Sequence, residues 1–371
     1  MAKRILITGG AGFIGSHLAD NLLRHGYIVR ALDCLSPQVH GDERARPQYL
    51  DPEVELMVGD AQDPAAVRRA LRGVDAIFHL AAKVGVGQSM YQIADYTAAN
   101  NLATAVLLEA LVERPVQKLV VASSMSIYGE GLYRDAQGRL VTDAERPLAQ
   151  LQAHDWEPRD AAGNELTPVP TPESKPPALA SVYALSKYDQ ERMCLMVGRA
   201  YRIPTVALRF FNIYGPRQAL SNPYTGVLAI FAAKLLAGRS PTIFEDGYQQ
   251  RDFVNVRDIA RGCRLALESK AADTVFNLGS GQRFSVREVA ARMAAVLGKD
   301  DIEPTITGQY RVGDIRHCFA DISRARETLG YEPEIGFEAG LTELASWLEA
   351  QDRVAPAADA SSELSLRGLT V

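Results

Sequence analysis

The chain has 371 residues, of which 47% are hydrophobic and 23% are charged, and its formal net charge at pH 7 is −5. This length exceeds the ~100–200 residues that are usual for one domain and predicts two lobes, or one large α/β unit with a smaller companion. The modest negative charge and the lack of a long basic run argue against nucleic acid and anionic membranes as partners.

The cysteines and the N-terminus bear on where the protein works. The four cysteines, at positions 34, 194, 263 and 318, lie far apart without a CxxC or Cys/His spacing. Neither a disulfide framework nor a metal site is therefore predicted. MAKRILITGG leads directly into an apolar segment without a signal-peptide pattern, and no apolar stretch reaches ~18 residues. We expect a soluble cytoplasmic protein with reduced, mostly buried thiols.

Short apolar runs alternate with helical patterns along the first two hundred residues. The runs include RILITG, YIVRALD, DAIFHLAA and KLVVASS, and helices are predicted near 13–25 and 97–113. This alternation is typical of βαβ units and predicts an α/β fold with a Rossmann-type doubly wound parallel sheet. We expect the sheet domain to span residues 1–211, with 255–270 returning to it, and residues 212–350 to form a smaller C-terminal α/β lobe.

A glycine-rich loop, TGGAGFIGSHL, follows the first strand and opens the first helix. Glycines allow a tight turn and close backbone approach, so that a pyrophosphate can lie on the helix N-terminus. The next strand ends at Asp33, where a carboxylate would hold the adenosine ribose hydroxyls. The sequence therefore predicts a dinucleotide site rather than a merely structural turn. The predicted contacts in the loop are Gly9, Gly12, Phe13, Ile14 and Gly15.

Two acidic residues refine this cofactor prediction. Asp33 stands where an arginine would accommodate a 2′-phosphate, and its like charge favours NAD over NADP. Asp60, in VGDAQD, ends another predicted strand and is a candidate adenine contact together with Ala61. Asp60 has an alternative interpretation as the N-cap of a helix that begins near Pro64.

Two regions lack apolar periodicity. Residues 130–180 hold seven of the nineteen prolines, all between Pro147 and Pro177. A long irregular segment in a compact domain is usually functional or mobile, so this insertion either covers the site or is a flexible linker between two lobes. The tail, residues 354–371, is rich in small and polar residues and is predicted to be disordered.

The stretch SVYALSKYDQER sets Tyr183 four residues before Lys187. On a helix this spacing places both side chains on one face, about one turn apart. A free tyrosine has a pKa near ~10, and an adjacent cation favours its ionised form. The pair could therefore move a proton on a substrate hydroxyl, although the same spacing also occurs by chance on surface helices.

Together, TGGAGFIG, HLAAKV, ASSMSIYGE and YALSK resemble the extended short-chain dehydrogenase/reductase family, and within it the NAD-dependent nucleotide-sugar epimerases and dehydratases. The resemblance covers residues 3–350. It implies that Ser124 is the catalytic Ser/Thr, that Tyr183 is the base, and that Lys187 is its partner. It also implies that Asn100 organises the active-site helix. Further cofactor contacts implied by the resemblance are Leu80, Ala81, Ala82, Lys83, Asn100, Tyr183 and Lys187.

The segments that follow also resemble the family and supply a predicted site for a nucleotide-diphosphate sugar. The resemblance implies that Asn212 contacts the diphosphate, that Val227 contacts the base, and that Arg251 clamps a phosphate. In YRVGDIRH, it places Arg311 and Asp314 against diphosphate and ribose. Arginine suits a diphosphate because its planar fork makes paired, charge-assisted bonds. Any one of these arginines could instead be an ordinary surface charge.

The residues after Ser124 favour one reaction. Dehydratases of the family carry Asp-Glu there, whereas this chain has Met125 and Ser126, and neither is a strong acid. Ser126 is instead a predicted substrate contact, with Ser124 and Tyr183. The family's reductases need net NADPH turnover, but Asp33 favours NAD. The resemblance thus implies 4-epimerisation by oxidation at C4, rotation of the 4-keto sugar and return of the hydride to the opposite face.

The identity of the sugar depends on the insertion and on RQALSNPYTGVLAIF, which look most like the dTDP-L-rhamnose 4-epimerase branch. Some members of that branch have a cysteine pair where this chain has Arg159 and Ala162. UDP-glucose and UDP-glucuronate 4-epimerases are the alternative, followed by a dehydratase or decarboxylase and by a non-catalytic NAD-binding regulator. The resemblance also implies a homodimer formed through the helix that carries Tyr183 and the helix near 97–113.

Overall fold

A computed structural model describes residues 2–219, 222, 226–311, 313–351 and 364–370. The strands are β1 Arg4–Thr8, β2 Ile28–Asp33, β3 Glu55–Val58, β4 Ala76–His79, β5 Lys118–Ser124, β6 Leu132–Arg134, β7 Leu140–Val141, β8 Thr167–Val169, β9 Thr205–Phe210, β10 Asn212–Tyr214, β11 Thr242–Ile243, β12 Gln250–Arg251, β13 Phe253–Asn255, β14 Thr274–Leu278, β15 Phe284–Ser285, β16 Thr305–Ile306 and β17 His317–Cys318.

Helices flank and connect these strands. The α-helices are α1 Phe13–Arg24, α2 Pro37–His40, α3 Pro64–Ala70, α4 Val86–Ser89, α5 Ile93–Tyr96, α6 Ala103–Glu113, α7 Leu148–Gln152, α8 Val182–Tyr201, α9 Val227–Leu236, α10 Val256–Glu268, α11 Val286–Val296, α12 Ser323–Leu329 and α13 Phe337–Glu349. A π-helix, Thr97–Leu102, leads into α6, and a 3-10 helix, Met125–Tyr128, follows β5. None of the helices among the described residues is long and apolar enough to cross a membrane.

Seven parallel strands form the central sheet in the order β14-β9-β5-β4-β1-β2-β3. Every residue of β5 is buried, as expected for a strand covered by helices on both faces. The strand order reverses between β1 and β4, and ligands of doubly wound sheets bind at such a point. The prediction of a Rossmann-type sheet is confirmed.

The chain after β9 forms a second apolar core and also returns to the central sheet, at α10 and β14 and again at α12. Its core is formed largely by α9, α11 and α13. In contrast, α10 packs against α1, and β14 pairs with β9 at the edge of the central sheet. The short sheet of β15, β12 and β17 pairs Arg251 with Cys318, and the Arg251 guanidinium reaches the backbone just before β17.

The proline-rich insertion is an ordered part of the structure rather than a flexible linker. Strands β7, β6 and β8 form an antiparallel sheet. The main chain of the insertion also pairs with the lobe, because Gly131 N donates to His317 O at 2.8 Å and Thr171 N donates to Phe319 O at 2.8 Å. Proline spacing does not reveal such pairing, since the backbone groups that make it belong mainly to other residues.

The predicted disordered tail is only partly described. Residues 354–363 and Val371 lie outside the described residues. In contrast to the predicted disorder, Leu364 is buried and Thr370 forms an antiparallel bridge with Arg311. The prediction was made from overall composition, which cannot reveal a single buried leucine or a single backbone bridge.

Candidate active site

The glycine loop between β1 and α1 is shaped by close backbone contacts. Gly9 has a φ of +71°, and a Cβ atom at Gly15 would lie 2.3 Å from the Gly9 carbonyl oxygen. A Cβ atom at Gly10 would lie 2.6 Å from the Cβ of Ala31. The corresponding position at Gly12 meets nothing closer than 3.4 Å. Gly9, Gly10 and Gly15 are thus required by the fold, whereas Gly12 leaves an open surface.

That open surface fits the pyrophosphate of a dinucleotide. The first turn of α1, which begins at Phe13 and includes Ile14, has N–H groups without helical partners. No side chain caps this end of the helix. The helix dipole also favours an anion here. The residues present therefore fit the cofactor that the sequence predicts.

Asp33 lies directly beside this loop. Its Oδ2 accepts from Ala11 N at 3.0 Å, and its Oδ1 accepts from Leu35 N at 2.9 Å. The carboxylate therefore holds the glycine loop against the end of β2, a structural role that sequence reasoning did not foresee. Its predicted ribose contact stays a prediction.

Asp60 lies just after β3 and does not cap the following helix. The N-cap of α3 is Asp63, whose Oδ1 accepts from Ala65 N at 2.9 Å. Asp60 instead accepts from Gln62 N at 2.8 Å. The alternative interpretation of Asp60 as the N-cap is therefore wrong, and the adenine contact predicted for Asp60 and Ala61 stays a prediction.

The segment after β4 lies against the glycine loop and is tied to α8. A Cβ atom at Gly9 would lie 3.0 Å from the Cα of Ala81. Asn100, fully buried in the π-helix, accepts from Lys83 N at 2.8 Å and donates to Ser186 Oγ at 2.9 Å. Asn100 therefore joins the segment of Leu80, Ala81, Ala82 and Lys83 to the helix that carries the predicted base.

The predicted catalytic residues come together between β5 and α8. Ser181 caps α8 by accepting from Ala184 N at 3.1 Å, so Tyr183 and Lys187 lie in the first turns of a 20-residue helix. Ser124 is the last residue of β5, and its side chain is close enough to Tyr183 to lower the pKa of the phenol. The structure thus assembles the Ser124, Tyr183 and Lys187 set that the sequence predicted.

Electrostatics around this set favour proton transfer. Burial raises the pKa of Tyr183, and the nearby Ser124 side chain acts in the opposite direction. Burial lowers the pKa of Lys187 to about 8, so a larger share of this side chain can lose its proton near neutral pH than in a free lysine. Strongly shifted groups that share a cleft are typical of functional sites.

Ser124 is held by the turn that follows it. Its Oγ accepts from Ser126 N and donates to Ser126 Oγ, both at 3.1 Å. Met125 is buried. No carboxylic acid therefore follows Ser124 in this turn.

The predicted substrate residues form a second group in the C-terminal lobe. Asn212 begins β10, and its buried Oδ1 has no hydrogen-bond partner among the described residues. Arg251 donates to Arg316 O at 2.8 Å and to Ile315 O at 2.5 Å. An orphaned buried amide oxygen is costly in a folded protein and is typical of a ligand contact.

Arg311 and Asp314 lie just before Arg251's backbone partners. Arg311 Nε donates to Asp314 Oδ2 at 2.8 Å, and the guanidinium lies 4.7 Å from the ring centroid of Phe244. Each of the two side chains thus orients the other. Val227 begins α9, the helix at which the base contact was predicted.

A buried cluster of ion pairs anchors the insertion beside this segment and was missed by sequence reasoning. Arg146 donates to Glu245 Oε1 at 2.8 Å and to Asp314 O at 3.2 Å. Glu157 accepts from Arg316 at 2.6 Å and from His317 Nε2 at 2.8 Å. The insertion therefore fixes the segment that carries Arg311 and Asp314.

Replacing Glu157 with glutamine is expected to lower the free energy of unfolding by about 1–3 kcal/mol at pH 7. Burial raises the pKa of Glu157, but hydrogen bonds from His317 and Arg316 outweigh this and lower it to about 2. The stabilisation is therefore present above the unfolded pKa of about 4.5 and is lost as the pH falls toward 2. Urea unfolding at several pH values measures the free energy of unfolding of both proteins. The difference between the variant and wild type should become smaller as the pH falls.

Glu165→Gln is the matched control, because Glu165 belongs to the same insertion and its side chain is 62% exposed in its pair with Arg159. Its effect should stay below about 0.5 kcal/mol. An equal loss of stability in the two variants would show that the Glu157 pair does not anchor the insertion.

The chain matches known proteins over most of its length. The model of the NAD dependent epimerase/dehydratase family matches residues 5–153 and 160–279. The dTDP-L-rhamnose 4-epimerase of Burkholderia thailandensis is 35% identical over 352 residues, which cover 93% of this chain and 95% of that protein.

Solved structures agree with this match. The UDP-glucose 4-epimerase of Thermotoga maritima, solved with UDP-glucose, has a TM-score of 0.76 at 30% identity, covering 93% of this chain and 98% of that one. The UDP-glucuronic acid 4-epimerase of Bacillus cereus, solved with UDP-glucuronic acid and NAD, has a TM-score of 0.75 at 27% identity, with coverages of 93% and 99%.

Proposed function

The chain belongs to the NAD-dependent epimerase/dehydratase family, and we propose that it is a 4-epimerase of nucleotide-diphosphate sugars, acting on a dTDP-6-deoxyhexose such as dTDP-L-rhamnose. One observation carries the proposal. The Ser124 side chain lies close enough to the Tyr183 phenol to lower its pKa, Lys187 lies one turn further along α8, and Asn100 ties this helix to the segment beside the glycine loop.

Each residue of the set has a distinct role in the reaction. The Tyr183 phenolate accepts the proton of the sugar 4-hydroxyl, and Ser124 hydrogen-bonds to the same oxygen. The positive charge of Lys187 favours the phenolate. NAD, when bound, supplies a reversible hydride acceptor, so that C4 can be oxidised and then reduced again. Tyr183 returns the proton to the oxygen at the end of the cycle.

The turn after Ser124 supports epimerisation rather than elimination. Expulsion of a hydroxyl group as water needs an acid that protonates it. Met125 is buried and cannot donate a proton, and the hydroxyl of Ser126 is bonded to Ser124. A sugar oxidised at C4 in this site is therefore reduced again without losing a group.

A 4-epimerase must hold its nucleotide firmly while the 4-keto sugar rotates. We assign this anchor to Asn212, Val227, Arg251, Arg311 and Asp314. The backbone contacts of Arg251 bring it beside the segment that carries the Arg311–Asp314 ion pair, which supports this assignment. Arg146 fixes that segment from the insertion. The sugar, in contrast, meets the small side chains of Ser124 and Ser126.

UDP-sugars are the second candidate substrates, because the similar solved structures contain UDP-glucose and UDP-glucuronic acid. Incubating the NAD-loaded protein with dTDP- and UDP-sugars, and resolving the C4 epimers by NMR, distinguishes the candidates. We expect an epimer of unchanged mass from dTDP-L-rhamnose without added reductant. A product that has lost water or carbon dioxide would contradict the proposal, as would no turnover of any sugar in the panel.

We further propose that the protein is a homodimer that pairs α6 and α8 with their copies across a two-fold axis. Large apolar side chains are exposed on these helices, including Leu185 at 46% and Met196 at 56%, both on α8. Burying such a patch against a second copy would stabilise the pair.

Changing Leu185 to aspartate is therefore expected to convert the dimer to a monomer, because the introduced charge would have to be desolvated at the interface. Light scattering at micromolar concentration measures the mass. Leu140→Asp is the matched control, since Leu140 is exposed to a similar degree, 57%, but lies on β7 in the insertion. A wild-type protein that is already monomeric would refute this proposal.

A further inference from the structure

Buried polar side chains form a continuous hydrogen-bonded chain from the glycine-loop strand to the catalytic lysine. Its members are Thr8 on β1, His79 on β4, Thr104 on α6, and Gln190 and Lys187 on α8. All are fully buried except Lys187, which is 3% exposed. We propose that Gln190 is a positioning residue that holds the Lys187 ammonium and favours its charged form while Tyr183 exchanges its proton. The inference rests on the proposed function, since it assigns a role within the same site.

The orientation of the Gln190 amide is dictated by Thr104. The Thr104 hydroxyl donates to Asn100 O at 2.6 Å, so its two lone pairs are left to accept. They accept from Gln190 Nε2 at 2.8 Å and from His79 Nε2 at 2.9 Å. The nitrogen of the Gln190 amide must therefore face Thr104. Its Oε1 is consequently directed at Lys187 Nζ, which donates to it at 2.7 Å.

His79 fixes the polarity of the chain at its other end. Burial lowers the pKa of His79 to about 3, and the charge of Lys187 acts in the same direction, so the imidazole is neutral. The Thr104 hydroxyl gives its proton to Asn100 O, so its 2.9 Å contact with His79 requires the imidazole proton on Nε2. His79 Nδ1 therefore accepts from Thr8 Oγ at 2.8 Å, and Thr8 Oγ accepts from Ala81 N at 3.2 Å. The hydrogen bonds thus run in a fixed direction from the segment beside the glycine loop to Thr104.

The charges near Lys187 leave Gln190 as its hydrogen-bond acceptor. Glu191 is paired with Arg209 of β9 at 2.7 Å and accepts from Ser123 at 2.7 Å. Burial raises the pKa of Cys194 to about 12, so it is a neutral thiol. His79 on β4 is neutral, and Tyr183 lies on the same face of α8. None of these described neighbours therefore offers the ammonium an unpaired carboxylate.

A neutral amide is suited to this position. It compensates part of the desolvation of the ammonium through a charge-assisted hydrogen bond. It does so without cancelling the positive charge that favours the Tyr183 phenolate. A carboxylate at residue 190 would stabilise the ammonium more strongly but would oppose the phenolate. The amide thus stabilises the ammonium without opposing the phenolate, whereas a charged partner would do both.

The test measures Lys187 directly and needs no substrate. In NAD-loaded protein labelled with ¹³C-lysine, NMR follows the titration of the Lys187 side chain, which is assigned by its loss in Lys187→Met. Gln190→Met removes the acceptor at similar volume, and we expect the pKa of Lys187 to fall by about one unit. Gln190→Glu adds a negative charge, and we expect that pKa to rise by at least one unit.

The pH dependence of kcat provides a second readout with opposite signs for the two variants. In Gln190→Met, the alkaline limb, set by loss of the Lys187 proton, should move to lower pH while the acidic limb stays in place. In Gln190→Glu, the acidic limb, set by ionisation of Tyr183, should move to higher pH by about one unit. A purely structural glutamine would change yield or thermal stability and move neither limb.

Thr104 supplies an independent pair of variants in case changes at Gln190 prevent folding. Thr104→Val removes the acceptor that orients the amide. It should lower the pKa of Lys187, as Gln190→Met does. Thr104→Ser keeps the hydroxyl and should restore the wild-type titration. Identical Lys187 titrations in wild type, the Gln190 variants and Thr104→Val would overturn the proposal. If the wild type epimerises no sugar, the proposed function fails, whereas the NMR titration still decides the role of Gln190.

Discussion

Replacing Tyr183 with phenylalanine is expected to lower kcat for C4 epimerisation by about 10²–10⁴-fold. The change removes the phenol that accepts the proton of the sugar 4-hydroxyl. It leaves the hydride acceptor, Ser124 and the nucleotide anchor in place. The KM for the nucleotide sugar should change only a few-fold, because the lost interaction belongs to the transition state rather than to ground-state binding. Steady-state kinetics on the sugar accepted by the wild type measures both constants.

The structure indicates that this variant will fold. Tyr183 is held by its backbone N–H, which donates to Ser89 Oγ at 3.0 Å, and by an edge-to-face contact with Tyr96 at 6.5 Å. Phenylalanine keeps both contacts. Tyr188→Phe is the matched control, since it alters a partly buried tyrosine on the same helix that packs against the sheet core. The assignment of Tyr183 as the base is wrong if Tyr183→Phe retains activity comparable to that of Tyr188→Phe.

The parts of this site that the sequence predicted depend on local geometry. The spacing of Tyr183 and Lys187 is a property of any helix, and the strand, loop and helix around Gly9 to Gly15 follow from one short motif. The alternation of strands and helices predicted the sheet because right-handed βαβ crossovers leave few other arrangements. Ser124 was placed by resemblance, and its contact with Tyr183 required β5 and α8 to be brought together.

The parts that could not be predicted depend on burial. Charged residues are almost never fully buried unless they are paired, so composition gave no sign of the Arg316 cluster with Glu157 and Glu245. Gln190 follows Lys187 by three residues, which places it on the same face of α8, but its orientation depends on Thr104 and His79 from two other elements. Asp33 was predicted to bind a ligand and also fastens the glycine loop.

The second large effect is a loss of NAD affinity on changing the glycine loop. Gly15 is required by the fold of the loop, and Gly12 by the surface proposed for the cofactor. Gly15→Ala places a Cβ atom 2.3 Å from Gly9 O and 2.7 Å from the Gly10 Cα. Since both neighbours are backbone atoms, the loop must move, which should cost about 1–3 kcal/mol of stability. We expect the affinity for NAD to fall by at least about 100-fold, because the N–H groups of α1 lose their arrangement around the pyrophosphate.

Gly12→Ala separates fit to the cofactor from integrity of the fold. A Cβ atom at Gly12 meets no protein atom closer than 3.4 Å, so the melting temperature should stay near that of wild type. The same atom would occupy the open surface on which the pyrophosphate is proposed to lie, and NAD affinity should still fall about 10-fold or more.

Calorimetric titration with NAD and thermal unfolding measure the two effects in parallel. Gly336→Ala is the control, because its Cβ atom would meet nothing within 4 Å and its φ of −62° suits alanine. Wild-type NAD affinity in Gly12→Ala would place the pyrophosphate elsewhere. Wild-type affinity in Gly15→Ala would show that the tight packing of this loop is not what creates the cofactor site.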